Sequence, residues 1–122
     1  KAAEAAYDGP QDCVEDMRKA FERRRDLIVG LAKEIPGFNV TVPDGAFYIF
    51  PEVSALFGKK AGEKVIANAD DLAMYLLEEA LVASVSGAAF GAPCCIRFSY
   101  ATSDEKLVEA MGRVRRAVEK LK

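Results

Sequence analysis

Histidine is missing from all 122 residues of this chain. That absence removes His-ligated zinc sites, Ser-His-Asp triads and Cys-His nucleophile pairs together, because each needs an imidazole as ligand or base. Cysteine is scarce: only Cys13, Cys94 and Cys95 occur. An odd count with two adjacent thiols makes no disulfide framework and lacks the two-residue gap of a zinc knuckle. Reduced thiols in a cytoplasmic protein are the expectation. No signal peptide or lipidation motif is visible, and no apolar run approaches the roughly 20 residues that cross a bilayer. Nor is there a surplus of basic charge: 17 Lys and Arg against 19 Asp and Glu leave −2. This argues against nucleic acid or an anionic membrane as partner, since both select positive surfaces.

What remains is a globular composition, 51% hydrophobic and 30% charged. The length suits one domain, and a domain of this size buries roughly two-thirds of its unfolded surface. The chain opens on Lys1-Ala2-Ala3-Glu4, without an initiator Met and already helical in composition. It reads as a piece of something longer.

Residues 1–6 look like the last turns of a helix, broken at Tyr7-Asp8-Gly9-Pro10. Pro10 suits a first helical position, where its missing N–H costs nothing. Val14, Met17, Phe21, Ile28, Leu31 and Ile35 then follow a three-four spacing interrupted by Arg24. This predicts a long amphipathic helix over about residues 10–34, ended by Pro36-Gly37. Two β-rich runs, residues 39–42 and 46–50, flank Pro43-Asp44-Gly45 and predict a hairpin, with Gly45 permitting the turn.

Residues 52–69 read as a loop-like insertion with one helical turn at Ser54 to Phe57. The run Asn68-Ala69-Asp70-Asp71 offers caps for a helix carrying Leu72, Leu76 and Ala80. Residues 82–85 form a short strand candidate, and residues 95–100 a second, with Ile96, Phe98 and Tyr100 on one face. Thr102-x-x-Glu105 has capping-box spacing before a closing helix, about 103–121, whose stripe is Leu107, Met111, Val114, Val118 and Leu121. The expected class is α+β: a small mixed or antiparallel sheet covered by helices.

Few residues offer chemistry. Arg97 shares its strand with that apolar face but points the other way. The residues alone favour an internal salt bridge or a snorkelling surface arginine. The alternative is a ligand, because guanidinium is a rigid fork that matches a carboxylate with two parallel hydrogen bonds. Cys94 and Cys95 have no neighbouring His or run of Lys to lower a thiol pKa, so core or loop filling is their expected role. Arg23-Arg24-Arg25 is flanked by Glu22 and Asp26 and reads as a solvated helix face. Ser99 and Ser103 lack a base. Gly87-Ala88-Ala89-Phe90-Gly91 lacks phosphate-loop spacing and is read as a turn.

Three motifs go further. PDGAFYIFP (43–51), LLEEALVASVSGAAFG (76–91) and IRFSYATSDEKLVEAMGRV (96–114) resemble, in order, the carboxy-terminal part of class I aminotransferases. These are fold-type I pyridoxal-phosphate enzymes, and the nearest subgroup is that of aspartate and prephenate aminotransferases. Residues 9–31 are similar to that family's long interdomain helix. The resemblance implies that Arg97, followed by Ser99, Tyr100 and Ala101, clamps the substrate α-carboxylate. It implies a lesser substrate contact for Phe47, for which a place in the sheet core is an equal reading.

On this resemblance residues 1–9 are the tail of a large-domain helix and residues 10–122 are the small C-terminal domain. The implied parent is an aspartate-type aminotransferase, a cytoplasmic homodimer moving an amino group between an amino acid and 2-oxoglutarate. Its alternatives are a prephenate or aromatic aminotransferase, a stand-alone anion-binding module, and a structural domain in which Arg97 is a salt bridge. The Schiff-base lysine, the aspartate facing the pyridine nitrogen and the phosphate ligands have no counterpart here, and Lys59, Lys60 and Lys64 carry no such motif. They are expected in the large domain of the same chain, so this piece should neither bind pyridoxal 5'-phosphate nor be active alone. One departure stands out: Val85-Ser86-Gly87 replaces the common Val-Pro-Gly, which puts the rigidity of that loop in question.

Overall fold

Gly9 and Pro10 separate two helices in the computed structural model, which describes residues 1–122: α1 (Ala2–Asp8) and α2 (Asp12–Lys33). Pro10 is not the first helical residue as expected. Gln11 is the N-cap, its carbonyl takes the first helical bonds from Val14 and Glu15, and its side-chain amide donates to Ala6 O and Gly9 O at 2.9 and 3.0 Å. Satisfying carbonyls left over at the end of α1 thus sets the start of α2 two residues past the proline.

The β elements are short. β1 (Tyr48–Ile49), β4 (Val85–Ser86) and β5 (Ile96–Ser99) form an antiparallel sheet in the order β1-β5-β4. Tyr48 stands opposite Ser99 and Ile49 opposite Phe98, while Val85 faces Arg97. A second pair, β2 (Lys60–Ala61) and β3 (Lys64–Val65), makes a separate hairpin. Helix α3 (Ala69–Glu79) and helix α4 (Asp104–Val118) complete the order. The class is α+β.

The expected hairpin around Pro43-Asp44-Gly45 does not form. Asn39 bridges Glu52 instead, and β1 takes β5 as its partner. Pairing with β5 lets Ile49 join Ile96 and Phe98 in the core, a gain no local turn offers. The left-handed residue of this segment is Ala46, at φ 63°, rather than Gly45. Tyr100 holds it there by donating its hydroxyl to Ala46 O at 2.9 Å. The insertion does contain the expected turn, a 3-10 turn at Ser54–Leu56, but it also holds the unanticipated β2–β3 hairpin, whose Gly62 sits at φ 61°.

One face of the sheet carries the core. Ile28, Ile49, Leu72, Leu76, Ile96 and Val114 are fully buried, each contributing about 1.5–3 kcal/mol by leaving water. The stripe of α4 is buried along its whole length, from Leu107 to Val118, and Leu121 just beyond the helix is buried with it. That of α2 is not. Ile28, Val29 and Ala32 are buried, whereas Val14 and Met17 are 51% and 54% exposed. The interruption at Arg24 has a cause: Arg23 and Arg24 both hydrogen-bond Asp104 at the start of α4.

The arginine run therefore is not simply a solvated face; it joins two helices. Caps follow the same local logic. Asn68 Oδ1 accepts from Asp71 N at 2.9 Å to start α3. Ser103, not Thr102, caps α4, accepting from Lys106 N at 3.4 Å. Glu105 is one position too early to complete a box. Its carboxyl is held below the usual value by its own amide and then by the Ser103 hydroxyl. No helix is long and apolar enough to cross a membrane.

Candidate functional site

β5 is the central strand, so its backbone is fixed from both sides and its side chains can be aimed. Ile96 and Phe98 go into the core; Arg97, half-buried, goes to the other face. The guanidinium lies between two rings. Its carbon sits 4.3 Å from the centroid of Tyr48 and 4.4 Å from that of Phe90. Each such contact contributes about 0.5–1 kcal/mol at exposed positions and more where water is excluded.

Apart from Arg116, every other arginine of the chain meets a carboxylate: Arg18 with Glu15 and Glu22, Arg23 and Arg24 with Asp104, Arg25 with Asp26, Arg113 with Glu109, Arg115 with Glu34 and Glu119. Arg97 makes no ion pair within the chain. Two aromatic rings flank its guanidinium, and its N–H groups make no hydrogen bond within the chain. The internal salt bridge that the sequence favoured is absent.

A strand and a turn hold the rings. Tyr48 belongs to β1, where pairing with Ser99 sets its register. Phe90 ends a 3-10 turn, Gly87–Phe90, capped by Ser86, whose hydroxyl accepts from Ala88 N at 3.3 Å. The serine that replaces proline thus braces the loop by a hydrogen bond. Phe90 also meets Phe50 edge-on at 6.2 Å. Phe47 lies beside this group, 4.4 Å from the Tyr48 ring and 6.2 Å from that of Phe21. It is 40% exposed, so it is at the rim and not in the core. Sequence reasoning named Arg97 and Phe47 but missed Tyr48 and Phe90. Both stood inside the motifs quoted for the resemblance, and their aromatic character next to a lone arginine was the available signal.

The cysteines stay apart from this chemistry. Burial pushes the Cys95 thiol up, with the Glu52 and Cys94 charges adding to it, which disfavours the reactive thiolate. The larger grooves also lie elsewhere. One of about 410 Å³ runs between α4 and residues 79–81, and one of about 550 Å³ lies beside the β2–β3 hairpin. Arg97 borders neither. Its face is open, so any pocket around it needs a second wall.

Residues 1–114 match the family described as "Aminotransferase class I and II". The chain is 50% identical over 117 residues to an aspartate aminotransferase of Bacillus sp. (strain YM-2), covering 96% of this chain and 29% of that protein. A probable aspartate/prephenate aminotransferase of Aquifex aeolicus is also 50% identical, over 91% of this chain and 27% of its own length. Among solved structures, the aspartate aminotransferase of Rhizobium meliloti superposes with a TM-score of 0.95 at 42% identity, over 99% of this chain and 30% of the other. Helices on one side of a small antiparallel sheet are thus the architecture of a known enzyme class. The chain belongs to the class I and II aminotransferase family, and spans somewhat less than a third of the length of these relatives.

That family implies pyridoxal phosphate, which needs an amine for its aldehyde and several donors for its phosphate. The residues of this chain do not fit it. Lys64 pairs with Glu78 and Lys120 with Glu79, so neither amine is free to meet an aldehyde. Arg97 is the one cation placed between the aromatics of its face.

Proposed function

We propose that residues 10–122 are the small domain of an aspartate-type aminotransferase, joined through residues 1–9 to a large domain that supplies the cofactor. On this reading the whole protein is a cytoplasmic homodimer that moves an amino group between an amino acid and 2-oxoglutarate. Arg97 binds the α-carboxylate. The observation that carries this is a guanidinium flanked by the rings of Tyr48 and Phe90, without a carboxylate partner, on the side of the sheet opposite the core.

A fork held in this way meets both oxygens of a carboxylate at once. That stops rotation about the bond between Cα and the carboxylate, so the bond to be broken keeps one angle to whatever the large domain presents. Phe47 adds an apolar edge beside the bound carboxylate. The names of these relatives support aspartate and, in one branch, prephenate as substrates, and a panel of amino donors separates the two.

The test is Arg97→Ala in the intact protein. A charge-assisted hydrogen bond is worth about 1.5–3 kcal/mol, so KM for the amino donor rises by about one to two orders of magnitude. An unchanged KM leaves Arg97 a structural residue and removes this reading.

A further inference from the structure

The segment Gly87–Gly91 is absorbed neither by the core nor by the carboxylate contact itself, yet its geometry is tightly specified. A Cβ on Gly87 would lie 2.2 Å from Ala92 O, 2.8 Å from Cys95 O and 2.9 Å from Phe50 Cζ. Gly87 also donates to Cys95 O at 2.8 Å and accepts from Ala92 N at 3.0 Å. Gly91 takes φ 75°, a region that suits glycine. The Ser86 hydroxyl closes the first turn. All this definition surrounds one large side chain, Phe90, which is 50% exposed and so contributes little to the core. What Phe90 does touch is Arg97, 4.4 Å below its ring centroid.

We propose that the Gly87–Gly91 turn is a positioning device: it lays Phe90 on one face of the Arg97 guanidinium while Tyr48 takes the other. The two rings fix the plane of the fork and leave only its edge of N–H donors free. Such a slot selects a planar, two-oxygen anion approaching in the plane of the guanidinium. It has no counterpart for lysine, whose ammonium has no plane to stack. Phe90 and Tyr48 are positioning residues that act through Arg97. The inference rests on the reading of Arg97 as the carboxylate ligand.

Full-length enzyme carrying Phe90→Leu, Tyr48→Leu, Phe90→Tyr or Tyr48→Phe is compared with Arg97→Ala and Arg97→Lys, using L-aspartate and 2-oxoglutarate as substrates. Succinate serves as a non-reacting dicarboxylate whose Kd is measured by calorimetry. Each leucine variant should raise the KM for L-aspartate and the Kd for succinate by about tenfold, equivalent to about 1.4 kcal/mol, with kcat changed less. The Phe90→Tyr and Tyr48→Phe variants, which keep a ring, should restore both values. In the Arg97→Lys background, Phe90→Leu should add less than a factor of about two, because the plane it aligned is gone.

If Arg97→Ala raises KM but the leucine variants leave KM and Kd unchanged, the positioning role is overturned and the carboxylate site stands. If Phe90→Leu costs as much in the Arg97→Lys background as in the wild type, Phe90 does not act through Arg97 and the inference falls. If Arg97→Ala itself has no effect, the reading of the site fails first. Thermal melting checks that each variant is folded, and loss of the succinate contact at unchanged melting temperature is the result expected of a half-exposed ring.

Discussion

Single atoms decide the path of the chain between β4 and β5. Gly87 is buried, and the atoms that a side chain there would strike are chiefly backbone oxygens, which cannot rotate away. Gly87→Ala should therefore destabilise by about 1–3 kcal/mol, the ordinary cost of overpacking, or more. In a domain of this size that corresponds to a fall in melting temperature of at least about 4 °C, read by calorimetry. An unchanged melting temperature would mean that the turn can shift at no cost, and Phe90 would then lose its fixed mount. The same position shows why the site was only half legible in the sequence. Arg97 stood out because it breaks the apolar character of its strand. Its stacking depends on Phe90 being folded back over β5 and on Tyr48 being brought in from another strand, and neither follows from spacing.

Between elements, a polar joint links α2 to α4. Arg23 Nε donates to Asp104 Oδ2 at 2.9 Å, and Arg24 Nε donates to Oδ1 at 3.3 Å. Hydrogen bonding from Arg23, with its charge and that of Arg24 behind it, holds the Asp104 carboxyl below the ordinary carboxylate value. Asp104 also lies in the first turn of α4, where a negative charge suits the helix dipole. Because its folded value is depressed, its contribution is complete above the unfolded value of about 4 and is lost as pH falls through the folded one. Asp104→Asn should thus lower the melting temperature at pH 7, and the gap to wild type should close as the pH drops below about 4. A gap that persists at low pH would show that the carboxylate charge is not what joins the helices. Salt should narrow it as well, since these side chains are partly exposed. The α4 stripe was plain in the sequence because periodicity is a local property. The β1–β5 pairing was hidden behind a turn motif that promised a hairpin, and the charged, exposed Lys60–Val65 hairpin offered no alternation to read.

At the scale of the molecule, burial is one-sided. The C-terminal half of α2 belongs to the core, yet Val14 and Met17 on the same stripe face water, and Phe47, Phe50, Val85 and Phe90 crowd the outer side of the sheet. Amphipathic helices expose an apolar stripe only where something else covers it. On the proposed function that cover is the large domain. The 122-residue chain alone has no such cover, and its net charge of −2 does little to keep copies apart. It should therefore self-associate, with a sedimentation coefficient that climbs as concentration is raised. Replacing Val14 and Met17 together by Glu should suppress this while leaving the melting temperature within about 2 °C, because neither side chain is buried and surface changes cost little. A chain that stays monomeric at every concentration, or a double variant that associates as strongly as wild type, would place the sticky surface elsewhere. In the full-length enzyme the same pair of charges should instead be destabilising, since there the stripe would be buried against the large domain and two unpaired carboxylates would be taken out of water.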